Sequence, residues 1–433
     1  MAELVYDANG RLLFTKEMKK EYTLLIPQML PVHFGMMAEV LRREGYKCEM
    51  LTTNHRGIVD TGLKYVHNDT CYPALLVIGQ LIEAVNSGKY DKDKVGLLIT
   101  QTGGGCRASN YIHLLRKALK KAGLEKVPVV SLNLSGLEKN PGFKLNLRLI
   151  RRFIYCIMYG DIIVMLANQC RPYEAHRGET DELVGAWEKR LVEGFAEPGS
   201  LTYKAMKANC GLIAADFAKI ERLDIKKPRV GVVGEIYIKY SPLGNNELEK
   251  LLLGEGAEPV VPGLTDFVIF KIFNREADVD LYGGSGLKKF VVRRLKAYVE
   301  KCQHAMLAAV GGAGFRVPGN FEHLRKLAAD YLGAGNKMGE GWLLTAEMLE
   351  LIHDGTSNIV CAQPFGCLPN HIVGKGMLRA LKDDFPQSNI VAVDYDPGAT
   401  RINQENRIKL MLSNASGGRR RAVKEAAEEN EDA

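Results

Sequence analysis

No apolar run in this chain reaches the ~20 residues needed to cross a bilayer. The longest, Phe153 to Ala167, is broken by Gly160 and Asp161, so no membrane association is expected. The opening MAELVYDANGRLLFTKEMKKEY is polar and mixed in charge. It lacks the basic-then-apolar pattern of a secretory leader, and a cytoplasmic location is expected. CxxC pairs are absent, as is any Cys/His grouping of zinc-finger spacing, which argues against structural zinc. No Walker lysine follows a glycine-rich loop, and there is no RNP, zinc-finger or basic-arm signature. The net charge of +7 therefore does not announce a nucleic-acid binder. Its basic residues are dispersed, and KALKK (117–121) and VVRRLK (291–296) read as solvated helix faces.

What is present is an ordinary globular composition, 46% hydrophobic and 25% charged, over 433 residues. That length exceeds one ordinary core, so two domains are expected. A chain of this size buries roughly 75% of its unfolded surface and needs no disulfide staples. Nine cysteines is an odd count, which suits metal ligation, catalysis or packing better than a disulfide framework.

Short β-branched runs alternate with helical patterns, which predicts an α/β fold of two Rossmann-like parallel-sheet domains. Strands are expected at 22–27, 48–51, 95–100 and 127–133, with helices over 34–44, 74–86 and 107–121 between them. Strand signals return at 229–238, 257–261, 357–362 and 388–396. The predicted divisions are a first α/β domain over 1–145, a helical connector of about three helices over 146–227, a second α/β domain over 228–415 and a disordered tail over 416–433. No short-period repeat is visible.

Three cysteines share one setting: an irregular turn, the thiol, then the start of a helix. VHNDTCYPALLVIGQLIEA places Cys71 two residues before Pro73, with Asn68, Asp69 or Thr70 as expected caps. TQTGGGCRASNY places Cys106 behind three glycines, directly after a strand. NIVCAQPFGCLPNHIVGKG ends a strand near Cys361, turns, and puts Cys367 ahead of Pro369 and a helix beginning near His371. Ligands of open α/β sheets bind beyond the carboxyl ends of strands. Helix N-termini favour thiolate over thiol and are expected to lower these thiol pKa values. Soft thiolates without zinc spacing point to iron–sulfur ligation.

The glycine loop also fits G-x-G-x-x-A over 103–108. It follows the third strand rather than the first, however, and no acid ends the next strand, where a ribose partner belongs. No nucleotide is expected there. Of the remaining cysteines, Cys48, Cys210 and Cys302 read as packing residues. Cys156 and Cys170 are fourteen positions apart, or about 21 Å on one helix, so both cannot serve one cluster. Cys170, at the helix end, is the better further ligand.

At these residues the chain resembles a known group. NDTCYPALLVIGQLIEA, TQTGGGCRASNY, VGEIYIKYSPLGNN, QPFGCLPNHIVGKG and VDYDPGATRINQENRIKLML are similar to the C-terminal part of the large activase-related proteins of the 2-hydroxyacyl-CoA dehydratase superfamily. That superfamily includes 2-hydroxyacyl-CoA dehydratases, benzoyl-CoA reductases and the double-cubane cluster proteins. The resemblance covers roughly residues 23–412. It implies an anaerobic, low-potential iron–sulfur protein reduced one electron at a time by an ATP-hydrolysing activase. The large relatives carry that activase portion in the same chain and this sequence does not, so the activase is expected to be a separate, transient partner. A homodimer or heterodimer is also expected.

In dehydratase subunits three cysteines hold a 4Fe–4S cluster, two in the first α/β domain and one in the second. Cys71 and Cys106 match the first two, and Cys361 or Cys367 the third. A double-cubane 8Fe–9S cluster would need six thiolates, so the resemblance leaves the cluster type open. It also leaves three functions open: ATP-dependent reduction of a small substrate, radical dehydration of a 2-hydroxyacyl-CoA, or non-catalytic electron carriage.

Position suggests the supporting residues. Gln101, Thr102, Gly103, Gly104 and Gly105 form the loop whose amides would face the cluster. His67 and His371 flank ligand loops. Glu235, Tyr237 and Lys239 are expected to share one face of the strand over 229–238, at the mouth of a pocket, with Glu235 as a proton donor.

Overall fold

The structure, a computed structural model, describes residues 2–67, 69–101, 105–132, 138 and 140–415. It is an α/β protein with two four-stranded sheets, each entirely parallel. The first sheet holds β1 (Thr23–Pro27), β2 (Lys47–Leu51), β3 (Val95–Thr100) and β4 (Val129–Leu132). The second holds β5 (Arg229–Gly234), β6 (Glu258–Val260), β7 (Asn358–Pro364) and β8 (Asn389–Tyr395). Their strand orders, β2-β1-β3-β4 and β6-β5-β7-β8, are the same topology used twice.

Period-two burial sorts the strand residues between separate cores. Leu24, Ile26, Leu98 and Val130 face a large helical layer. Leu25, Leu97, Ile99 and Val129 face an apolar cluster that continues through Val230, Val232, Val360 and Val393 of the second sheet. Val233, Ile359, Cys361 and Ile390, on the other face of that sheet, close a third cluster with Leu344 and Met348.

The stretch read as a connector holds three helices, Leu147–Cys170, Glu179–Gly194 and Tyr203–Phe217. They do not stand alone. Helices Leu264–Tyr282, Gly286–Gly312 and Phe321–Ala329, inserted between β6 and β7, complete the same helical layer. Among the described residues of the first half, the sequence reading did not expect the helices Lys16–Glu21, capped by Thr15, and Arg56–Tyr65, against the buried Tyr72–Asn86 helix.

The strand expected over 229–238 stops at Gly234. There φ is +146°, and an added Cβ would collide with the backbone of Ala362 on β7. Only glycine fits that turn. Glu235 then caps a helix, Ile236–Tyr240, so the expected strand face of Glu235, Tyr237 and Lys239 does not form. Among the described residues, no helix is long and apolar enough to cross a membrane. The tail over 416–433, expected to be disordered, lies outside the described residues.

Candidate functional site

The order of each sheet reverses between its first and third strands, β1/β3 and β5/β7, where open α/β folds bind ligands. The chain emerging from β3 turns through Gly105 and reaches Cys106, which precedes the short helix Arg107–Asn110 as its N-cap. The chain emerging from β7 turns through Gly366 and reaches Cys367, the N-cap of helix Leu368–Val373. Cys71 is the N-cap of helix Tyr72–Asn86. The expected side-chain cap from Asp69 or Thr70 is replaced by the cysteine itself, with no side-chain cap bond; Asn68 lies outside the described residues. All three cysteines therefore stand one residue before a helical turn.

These loops meet. The Tyr72 amide donates to the Phe365 carbonyl at 2.9 Å. A Cβ on Gly366 would lie 3.0 Å from the Thr70 oxygen and 3.1 Å from the Cys71 Cα. The Cys367 turn thus rests directly on the Cys71 turn. The Cys106 turn is held from another side, with Gly105 against Met338 and the Arg107 guanidinium on the Asp69 carbonyl. All three cysteines are free thiols.

Burial sets their acidity. It pushes Cys71 up to about 11, against the opposing effect of the Tyr111 hydroxyl 2.7 Å from its Sγ, and the nearby charges of Glu235 and Cys106 add to the rise. Burial also raises Cys106, with Glu340 and Glu235 adding to it. Cys367 is raised further by burial, then by Glu340, Glu235 and Cys71. The expected lowering by helix N-termini is therefore overturned, because desolvation of the thiolate outweighs the dipole. A bound cation reverses this balance and deprotonates a coordinating thiol outright.

Two carboxylates share the cleft. Glu235 Oε2 accepts from the Ile238 amide at 3.0 Å, and Glu340 Oε1 accepts from the Ile236 amide at 3.0 Å. Burial, followed by the adjacent Glu340 charge, pushes Glu235 up to about 8. Lys271 lies near Glu340 and Cys106; burial lowers its pKa and those two groups oppose the change.

The other residues singled out in the sequence sit elsewhere. Cys361 lies on β7 inside the third apolar cluster, and burial pushes it up to about 12. Strand alternation turns it away from the cleft. Cys170 lies in the core of the helical layer, its Sγ 3.7 Å from the Phe217 carbonyl oxygen. Tyr237 is buried in the apolar cluster joining the sheets. Lys239 pairs with Glu347 at 2.8 Å, both almost fully buried. His371 is exposed and contacts Gln363, while His67 is exposed near Asp69.

The Gln101 amide donates to the Leu132 carbonyl of β4 at 3.2 Å, and its side chain reaches the Cys106 turn. Its Nε2 donates to the Ser109 carbonyl at 3.0 Å and its Oε1 accepts from Ser131 at 2.9 Å, which fixes the Cys106 turn to β4. Thr102, Gly103 and Gly104 lie outside the described residues. Sequence reasoning missed Tyr111, Lys271 and Glu340. Tyr111, five positions after Cys106 at the start of helix Tyr111–Lys121, was within its reach; Lys271 and Glu340 arrive from distant segments.

Among the described residues, no three His, Cys, Asp or Glu side chains gather as ligands of a single metal ion. Cluster ligands bind different irons and need not meet at one point. The donor set, three free thiols from both halves of the chain at helix starts, fits a cluster of that kind. No family model matches the chain, and no curated protein matches it.

Proposed function

We propose that the chain is an iron–sulfur protein performing low-potential reductive chemistry on a small substrate, reduced one electron at a time by a separate ATP-hydrolysing activase. The observation that carries this reading is the meeting of the Cys71, Cys106 and Cys367 turns at the switch points of two like sheets. Cys71, Cys106 and Cys367 would hold the cluster, which supplies single electrons at low potential. Cys361 and Cys170 are each built into an apolar core, so this reading leaves them out of the set.

The remaining cleft residues favour an enzyme over a sealed electron carrier. Glu235 is positioned to hold a proton at Oε1, because Oε2 is occupied by the Ile238 amide. A carboxyl group whose pKa burial raises from the usual carboxylate range toward neutral pH suits proton donation there. Tyr111 donates to the Cys71 sulfur once that thiol is ionised, which orients the ligand. Lys271 supplies buried positive charge beside Cys106.

The test is anaerobic electron paramagnetic resonance on the iron-loaded protein. A mild donor alone leaves the cluster oxidised. Adding an ATP-hydrolysing iron–sulfur activase and ATP produces the reduced signal. Full reduction by the mild donor without ATP contradicts the low-potential reading.

A further inference from the structure

We infer that Glu340 is the fourth ligand of the cluster, a carboxylate completing the set begun by Cys71, Cys106 and Cys367. This rests on the reading that those thiolates hold an iron–sulfur cluster.

The two sheets have the same strand order, so their helices can be matched. The helix entering β3 is Tyr72–Asn86, with Cys71 at its N-cap; the helical turn leaving β3 has Cys106 there. In the second half, the helix leaving β7 has Cys367 at its N-cap. The helix entering β7 is Trp342–His353, and its N-cap is Gly341. Three of the four matched corners thus carry a thiol. The fourth carries a residue with no side-chain donor, directly preceded by Glu340.

The segment leading to Glu340 is wedged between the other loops. Met338 lies against Gly105, beside Cys106, with no room for a Cβ. A Cβ on Gly339 would lie 3.1 Å from Pro369, two residues past Cys367. Lys271 Nζ donates to the Gly339 carbonyl. Glu340 therefore enters the cleft between the Cys106 and Cys367 turns, and its charge is felt by both thiols and by Glu235.

Glu340 is only 6% exposed, and a buried carboxylate calls for nearby positive charge; Lys271 lies close enough to supply part of it, and an iron would supply more. Its Oε1 accepts one amide hydrogen bond, and a carboxylate has a second oxygen to offer a metal. An oxygen donor is harder than three thiolates, so the iron it binds would differ from the others and exchange most readily.

The test uses the full chain, reconstituted anaerobically with ⁵⁷Fe and sulfide, and Mössbauer spectroscopy. Wild-type protein should show one iron subsite distinct from the rest. Glu340→Gln keeps an acceptor for the Ile236 amide but loses the anionic ligand, so the distinct subsite should change and that iron should leave faster to a chelator. Glu340→Cys should make the subsite resemble the others. Circular dichroism of each variant checks that the fold is retained. If Glu340→Gln has wild-type iron content, spectrum and chelator resistance, Glu340 is only a helix cap; the inference is overturned and the cluster reading stands. If wild-type protein binds no iron and sulfide, both are overturned.

Discussion

The Tyr72 amide and the Phe365 carbonyl, 2.9 Å apart, join the turn that ends in Cys71 to the turn that leads to Cys367. Between them Gly366 has φ +72° and no space for a side chain against Thr70 and Cys71. A branched side chain there would be strained in backbone and in contact. Gly366→Val should therefore push the two turns apart. The variant is expected to stay folded by circular dichroism and to retain less than half the wild-type iron. Wild-type iron content in that variant would show that the contact does not set the site.

Cys361 lies in an apolar core, and the proposed ligand Cys367 follows six positions later. Cys361→Ala removes one buried sulfur and should cost about 1 kcal/mol or somewhat more, with iron and sulfide unchanged. Cys367→Ser should have little effect on the metal-free protein and should strip or destabilise the cluster. Urea denaturation paired with iron analysis distinguishes the two. Loss of iron from Cys361→Ala with Cys367→Ser unaffected would reverse the assignment.

Tyr111, 2.7 Å from the Cys71 sulfur, is positioned to donate a hydrogen bond to the proposed ligand. Hydrogen bonds to cluster sulfurs raise the reduction potential. Tyr111→Phe should keep the cluster but shift its potential to more negative values in an anaerobic redox titration. An unchanged potential would mean that the hydroxyl bonds elsewhere when the cluster is bound.

The fold was largely legible because strand burial writes itself into the sequence. All eight strands were expected within a few residues, since apolar β-branched runs such as VGLLIT and SNIVAVDYD admit few other readings. The exception, 229–238, failed at Gly234, where a close approach from Ala362 in a distant strand ends the run. No local pattern carries that information. The thiol turns were legible for the same local reason: a turn, a cysteine and a helix start are contiguous. The thiol acidities were not, because burial is a property of the folded surroundings. Cys361 was ambiguous until β7 fixed which of its residues alternate into the third apolar cluster. Glu340 was invisible because only the doubled strand order places its helix opposite that of Cys71.

Buried carboxylates make the metal-free protein alkali-sensitive. Burial pushes Asp266 up to about 7, with Gln303 opposing the shift; burial and the nearby Asp266 charge push Glu350 up to about 9. In the unfolded chain both titrate near pH 4. Between those values the folded state holds protons that the unfolded state has released, so stability falls as pH rises. The loss should end near pH 7 for Asp266 and near pH 9 for Glu350. Each group costs at most about 1.4 kcal/mol per pH unit within its window. Glu350→Gln should therefore gain on wild type steadily from about pH 5 to about pH 9. Urea midpoints across that range check it; parallel curves would show that Glu350 is charged in the folded protein.

The central claim is that Cys71, Cys106 and Cys367 hold one iron–sulfur cluster. The most direct measurement is iron and acid-labile sulfide per chain after anaerobic reconstitution, in wild type and in the Cys71→Ser, Cys106→Ser, Cys367→Ser triple variant. The account predicts about four irons, with matching sulfide, in wild type, and near none in a triple variant that remains folded. About eight irons would indicate a double cubane and require further ligands. Equal iron and sulfide in the triple variant, or none in wild type, would contradict the account.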